Sequence, residues 1–508
     1  MFRFAWISLL LALLTVPAAA AAGDDDAARK TLDSAVYVLR RSVTVQRDGR
    51  HNRLLGALRH LRDPALDPLL ARLAASEHPI LRIHGILGRA ELRQPEPRLL
   101  PADLGEIDEP SVQVQLIGTA LDNDLLHLDD AAQLLAWDDL EIGVKLLIAL
   151  RLLEADRFDN AALLHAALEA ERIGSRALAA MMLHQLGDDA GTEALQTINQ
   201  SSDPQRDAAR RMMARTALRH GMHRLGAWGH AVTTEANIDA ELRRLTLRVA
   251  LRFGDPRAAP LWQQRFESAA APAERNRLAL AALNLAPWLT IDLFDVMAKN
   301  ADGPLLERIA RAGQAITTDS ANVADDVVEL VRLNHPIANE SALRYARDHA
   351  APTDAQLILL GLVLAFEEAE PQRRVQGLHD VVRATQTLFE QAPEPAAKLL
   401  RPILASDDSD PTLVRAILLG LVRTQSPNPH TVLQNVPAFD ESENQYLALL
   451  LRARYDEPLT ERQMRTLSLL ARGGGGLQDT LRVQAAWHWL TRTDRADEAL
   501  QRVMDHLP

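Results

Sequence analysis

Two triplets of arginine are the residues of this chain whose type and spacing best suit a chemical task. Both have the spacing i, i+4, i+8, and the second repeats the first at an offset of 33 residues: Arg211, Arg215 and Arg219, then Arg244, Arg248 and Arg252. Residues at this spacing share one face of a helix, so each triplet predicts a stripe of guanidinium groups. Such a stripe favours a surface that receives an acidic protein segment or another anion. The alternative is that the arginines pair with acids of adjacent helices, or cover apolar surface with their stems.

Histidines form one further cluster, His220, His223 and His230. Glycines interleave with these histidines, which places them in a turn between helices and favours ordinary loop histidines over metal ligands. Adjacent carboxylates such as Asp138 and Asp139 point about 100° apart on a helix, so they do not form the facing pair of a glycosidase. We therefore predict no metal site from these residues.

Sequence motifs of catalysis and of cofactor binding are missing. The chain has no cysteine, which excludes thiol nucleophiles and cysteine-ligated metals. The run of glycines at 473–476 lacks the Lys-Ser/Thr of a phosphate-binding loop. No zincin or Gly-x-Ser-x-Gly motif occurs. The sequence predicts no catalytic residue and no cofactor.

The elements that position the arginines recur along the chain. Residues 61–70, 186–195 and 253–262 share a turn with an aspartate that precedes a proline or a second acidic residue. The last apolar residue before each such turn recurs at intervals of 29 to 35 residues between Leu61 and Leu285. Apolar residues between the turns have helical spacing, and two helices of about a dozen residues fit in each period. The pattern predicts a stack of helix pairs.

A second marker falls near the start of each second helix. It is a long polar side chain, and Gln115 interrupts an otherwise basic series: Arg82, Lys145, Arg176, Arg210, Arg243 and Arg277. A donor at a fixed place in every unit can bridge acidic turn residues of neighbouring units. We interpret this series as a structural ladder.

The turn motif resembles that of HEAT-like repeat proteins, in particular the short repeats named after phycobilisome lyases. Residues 254–261, Gly-Asp-Pro-Arg-Ala-Ala-Pro-Leu, match its hallmark most closely. The resemblance covers residues 56–290, weakens over 291–400 and returns in 401–490. It implies a right-handed superhelix of antiparallel helix pairs with partner-binding surfaces, and it implies no shared chemistry.

Composition limits the class of partner. The 508 residues are 47% hydrophobic and 24% charged, with a formal charge of −12. This charge disfavours nucleic-acid and anionic-membrane binding, and the 4% of aromatic residues disfavours stacking of sugars or bases. We expect a protein partner with an acidic segment, no nucleic acid, and a monomeric chain.

The N-terminal residues predict export. Arg3 is followed by an apolar run and a series of alanines to Ala22, which is typical of a cleavable signal peptide. The alternative is an uncleaved membrane anchor. Cleavage would leave no membrane segment and a charge of −13, since Arg3 is removed. The mature chain would be periplasmic in a Gram-negative host and extracellular otherwise.

Together these patterns predict an all-α, right-handed α-solenoid of about 12–14 antiparallel helix pairs. The expected segments are a signal peptide (1–22), a tail and capping helix (23–55), HEAT-like repeats (56–290), degenerate helical repeats (291–400), and HEAT-like repeats with a C-terminal cap (401–508). The predicted function is a non-catalytic protein-binding scaffold of the cell envelope. Two rivals remain: an α/α-toroid enzyme acting on polysaccharide, which requires a period near ~50 residues, and a tetratricopeptide-type adaptor.

Overall fold

The structure is a computed structural model that describes residues 26–45, 50–104, 107, 109–138, 140–366, 371–426, 428–455 and 457–507. The predicted signal peptide, residues 1–22, lies outside these ranges. Within them the chain is all-helical, with 74% of its residues in helices and no strand. None of the described helices is both long enough and apolar enough to cross a lipid bilayer.

The described residues form 27 α-helices that pack in neighbouring pairs, as expected for a helical solenoid. In chain order they are α1 (26–43), α2 (Arg50–Arg59), α3 (Asp67–Ala74), α4 (Pro79–Leu92), α5 (Pro110–Asp122), α6 (Leu128–Leu135), α7 (Ile142–Glu154), α8 (Ala161–Leu168), α9 (Ile173–Leu186), α10 (Asp189–Gln200), α11 (Arg206–His220), α12 (Gly226–Thr233), α13 (Ala240–Arg252), α14 (Ala258–Ser268), α15 (Pro272–Leu283), α16 (Ile291–Lys299), α17 (Pro304–Thr317), α18 (Val323–Val331), α19 (Pro336–Asp348), α20 (Pro352–Leu364), α21 (Pro371–Gln391), α22 (Pro393–Ala405), α23 (Pro411–Arg423), α24 (Ser442–Arg454), α25 (Glu461–Ala471), α26 (Asp479–Arg492) and α27 (Ala496–Met504).

Aspartates of the turn motif begin the helices that follow them. The Asp188 carboxylate accepts a hydrogen bond from the Ala190 amide at 2.9 Å, and Asp410, in a similar Asp-Pro turn later in the chain, accepts one from the Thr412 amide at 2.7 Å. These bonds satisfy amide groups that have no partner inside the helix. Gly187, which ends α9, has φ 85°, a left-handed conformation that glycine adopts without a Cβ clash. The turn motif therefore works as the sequence predicted, through local hydrogen bonds and a glycine.

Donors near the start of second helices bind the loop that precedes them. Arg82 and Arg176, each the fourth residue of its helix, donate to the carbonyl groups of Ser76 and Ala170, both at 3.1 Å. Gln113 makes the same contact on α5, donating to the Ile107 carbonyl at 2.6 Å. Each donor reaches back six residues and fixes the path of the chain into its own helix.

The bridging of acids between units, which the sequence predicts for this series, occurs at some positions only. Arg82 lies 3.7 Å from the Glu109 carboxylate, and the fully buried Arg210 donates to both Glu235 oxygens at 2.9 Å. Arg243 instead donates to the carbonyls of the preceding loop, at 3.3 Å.

Lys145 is the fourth residue of α7, as the pattern requires. On α5 that place belongs to Gln113 and not to the predicted Gln115. On α15 that place belongs to Arg275, which lies 2.8 Å from the Asp302 carboxylate, whereas Arg277 is exposed. Arg275 follows Arg243 by 32 residues, whereas the sequence pattern placed the marker at Arg277, 34 residues after Arg243.

Contacts between helices divide the chain into two compact units. One contains α6 to α23, and the other contains α1 to α5 together with α24 to α27. In the first unit, α9 packs on α7 and α11, and α11 packs on α13, so that second helices stack on one another. Their apolar faces form a continuous core from Leu146 to Val249. In the other unit, helices from the two ends of the chain meet, since α2 packs on α26 and α3 on α27.

Candidate anion-binding site

The arginine stripe on α11 is largely neutralised by its neighbour. Arg211 Nη1 lies 2.6 Å from Asp239 Oδ2, and Arg215 Nη2 lies 2.6 Å from Glu241 Oε1. Both acids come from the N-terminal end of α13, so the pairing crosses from one second helix to the next. Arg219 also takes part in a polar or electrostatic interaction. For Arg211 and Arg215 the alternative interpretation applies: they pair with acids of an adjacent helix.

The arginine stripe on α13 is different. Leu242, Leu245 and Val249 are buried in the core, and the three arginines lie on other faces of the same helix. Arg244 is exposed, while Arg248 and Arg252 are half-buried. Nη1 of Arg252 donates to the Leu218 carbonyl of α11. No acidic side chain among the described residues forms an ion pair with any of the three.

Arg248 is the least compensated of these side chains. Its Nε is buried without a hydrogen-bond partner, and its guanidinium makes no ion pair within the described ranges. Burial, reinforced by the positive charges of Arg344, Arg244 and Arg252, lowers the pKa of Arg248 to about 10. That value is well above neutrality, so the side chain keeps its charge at physiological pH. A partly desolvated charge without a counter-charge costs free energy, which an incoming anion would recover.

Arg344 of α19 adds a fourth positive charge from far along the sequence. It is close enough to Arg248 to lower the pKa of that residue. Its own guanidinium lies 3.6 Å from Glu340, but Glu340 also binds Arg383, so one carboxylate serves two arginines. We refer to Arg244, Arg248, Arg252 and Arg344 as the arginine cluster.

Three aromatic rings border the cluster at its Arg252 end, and we call Trp288, Tyr345 and His349 the aromatic corner. The Arg252 guanidinium lies 4.1 Å from the centre of the Trp288 ring, a cation–π contact. Trp288 meets His349 edge-on at 4.7 Å, and Tyr345 lies 6.4 Å from His349. Burial and the charge of Arg252 lower the pKa of His349, although Asp348 opposes this shift. His349 is therefore neutral at physiological pH, and the positive charge belongs to the arginines.

The three clustered histidines have separate environments. His220 Nδ1 lies 3.1 Å from Glu154, and His223 Nδ1 lies 2.8 Å from the side-chain amide of Gln185. Burial lowers the pKa of His220, and Glu154 opposes that shift. His220 is the last residue of α11 and His230 lies on α12, so the predicted position in a turn between helices is wrong for both and holds for His223 only. Over the described parts of the chain, no group of three or more potential ligands is arranged to hold a metal ion.

Sequence reasoning identified α13 but missed Arg344 and Trp288. Arg344 follows Arg248 by 96 residues, which is three periods of 32, so it occupies the same place three units later. That spacing was the available signal, but it indicates an equivalent place in the repeat and not proximity to Arg248, which the packing of the helices decides. Trp288 had none, because it lies in a short turn, Ala286–Trp288, between α15 and α16.

Comparison of the sequence with protein-family models and with curated proteins yields no match. The resemblance to HEAT-like repeats therefore stays a prediction from the turn motif and its period.

Proposed function

We propose that this protein is a non-catalytic binding scaffold whose arginine cluster receives an acidic segment of a partner protein. One observation carries the proposal: Arg248 is half-buried, charged and without a counter-charge, beside three further arginines. In a chain with a formal charge of −12, three arginines on one helix face without an acidic partner among the described residues are an unusual concentration of positive charge. Carboxylates are the complementary groups, since a guanidinium binds them through two parallel hydrogen bonds.

Partial burial makes this surface better suited to binding than an ordinary charged patch. Exposed ion pairs contribute little because water and salt screen them. A guanidinium that is already partly desolvated attracts an anion through a lower effective dielectric and loses less hydration when the anion arrives. The stripe on α11 lacks this property, since Asp239 and Glu241 already occupy Arg211 and Arg215.

The remaining parts of the proposal rest on the sequence. The repeat period and the turn motif support a right-handed superhelix of the HEAT-like type, in which second helices form a partner-binding surface. The charged start, apolar run and alanines before residue 23 support export and cleavage, hence a role in the cell envelope or outside the cell. We propose that the chain acts as a monomer. We also propose that it needs no cofactor, because the sequence contains no cofactor-binding motif.

A binding experiment with a defined polyanion tests this function. Fluorescein-labelled hexaglutamate is titrated with the full chain at low salt, followed by fluorescence anisotropy. We expect saturable binding that weakens as salt is added. The double variant Arg244→Gln/Arg248→Gln should weaken binding more than tenfold, because contacts between desolvated charges typically carry that much free energy.

The double variant Arg211→Gln/Arg215→Gln is the matched control. It changes the net charge by the same amount on the adjacent second helix, and it should alter affinity less than twofold. Equal losses in the two double variants would mean that hexaglutamate responds to overall charge only. That result, or no binding at all, would overturn the proposal.

A further inference from the structure

We propose that the acidic segment binds along α13 in extended conformation, with carboxylates at alternate residues and a large apolar side chain beyond the Arg252 end. This inference rests on the function proposed above and specifies the partner's sequence. It follows from three features: the spacing of the arginines, the further arginine that α19 adds beside them, and the exposed apolar surface at one end.

The spacing of the arginines sets the spacing of the carboxylates. Arg244, Arg248 and Arg252 are four residues apart on a continuous helix, so successive positions are separated by ~6 Å along its axis. In an extended chain, alternate residues point to the same side and are separated by ~6.6 Å. An acidic residue at every second position therefore keeps register with the stripe over its whole length. Acids at adjacent positions would point to opposite sides, and half of them would face away.

A short acidic segment favours the extended conformation over a helix. A helix with an acid at every fourth residue would have the same spacing, but like charges four residues apart destabilise a helix, and short isolated helices are marginal in water. Arg344 of α19 adds its charge near Arg248, so the segment is bordered by arginines from two helices.

Exposed apolar surface at the Arg252 end provides a second contact for the bound segment, in addition to the charges. Trp288 is 39% exposed although it packs against Arg252 and His349, and Ile291, three residues later, is 38% exposed. An aromatic ring beside an arginine offers a flat apolar contact for a neighbouring side chain. A leucine or phenylalanine that follows the last carboxylate would cover this surface. The charges then give attraction, and the apolar residue fixes the position of the segment along the stripe.

Four labelled peptides of similar length test the inference with the full chain. The reference is Glu-Ser-Glu-Ser-Glu-Ser-Leu. The others are its reversed sequence, the isomer Glu-Glu-Glu-Ser-Ser-Ser-Leu, and a form with serine in place of leucine. We expect the reference or its reverse to bind about tenfold more tightly than the isomer, and replacement of leucine to cost about tenfold. The variant Trp288→Ala should abolish the preference for leucine and retain the preference for alternate acids.

Each outcome separates this inference from the proposed function. If all peptides of equal charge bind alike and Arg244→Gln/Arg248→Gln still abolishes binding, the anion site stands and the extended register is wrong. Tighter binding of a helical peptide with acids four residues apart also overturns the register. Because Trp288→Ala changes packing around His349, Ile291→Ser serves as a second variant, and circular dichroism verifies that both fold. If both variants still prefer the peptide with leucine, Trp288 and Ile291 do not form its apolar contact, and that part of the inference is wrong.

Discussion

Nε1 of Trp487 donates a hydrogen bond to Oδ2 of Asp63 at 2.8 Å, across 424 positions of the sequence. The same carboxylate accepts a hydrogen bond from the Ala65 amide through Oδ1, at 2.9 Å. One aspartate therefore caps a helical turn near the start of the chain and anchors α26 near its end. Arg502 of α27 adds a second link, 3.0 Å from Asp33.

Trp487→Phe should destabilise the unit that contains both chain ends by about 1–3 kcal/mol. The change keeps most of the aromatic packing but leaves a carboxylate oxygen without its donor. Trp262→Phe is the control, because Trp262 is equally buried and its Nε1 has no partner within the described residues. Urea unfolding followed by circular dichroism gives both values. A loss for Trp487→Phe no larger than that for Trp262→Phe would show that the hydrogen bond contributes nothing.

Substitution by methionine should have opposite effects on the free energy of unfolding at Arg210 and at Arg248. Arg210→Met breaks a buried pair with Glu235 and should lower the free energy of unfolding by about 2–4 kcal/mol. Arg248→Met removes a partly desolvated charge without a partner, so stability should stay constant or rise by up to about 1 kcal/mol. Denaturant titrations at neutral pH compare the two variants. Destabilisation of Arg248→Met to the level of Arg210→Met would make Arg248 a structural residue.

The free energy of unfolding should decrease as the pH falls below 6.5. Burial and the positive charges of Arg454 and Arg492 lower the pKa of His488 from 6.5 to about 3. Between these values the unfolded chain binds a proton that the folded chain does not, so acid favours unfolding. This residue contributes a slope of up to about 1.4 kcal/mol per pH unit in that window. Unfolding free energies of His488→Gln between pH 7 and pH 4 should depend less steeply on pH; an unchanged slope would contradict the assignment.

Gly187→Ala should cost about 1–2 kcal/mol. Its left-handed φ disfavours a Cβ atom, which would also lie 3.2 Å from the Arg224 guanidinium. Gly118 gives the opposite expectation, because it lies inside α5 and a Cβ there would meet nothing within 4 Å. Gly118→Ala should raise stability by about 0.5–1 kcal/mol through its higher helix propensity. Thermal unfolding distinguishes the two, and a loss of stability in Gly118→Ala would contradict this account of α5.

The sequence by itself determined the local features of this protein. Asp188 and Asp410 begin helices, and Gly187 ends one, because capping depends on atoms within a few residues of the chain. The arginines at i, i+4, i+8 share a helix face for the same reason, since 3.6 residues per turn is a property of the backbone. These features were predictable without any knowledge of how the helices pack.

Only the tertiary structure decided which stripe carries unneutralised charge. Asp239 and Glu241 neutralise Arg211 and Arg215 on α11, whereas the positive charge of Arg344 acts on Arg248 of α13, and Trp288 stacks on Arg252. The same holds for the pairing of Trp487 with Asp63. In stacked helix pairs, small rotations between neighbouring units accumulate and set which distant residues meet. Those rotations depend on the packing of many side chains at once, so no local pattern in the sequence encodes them.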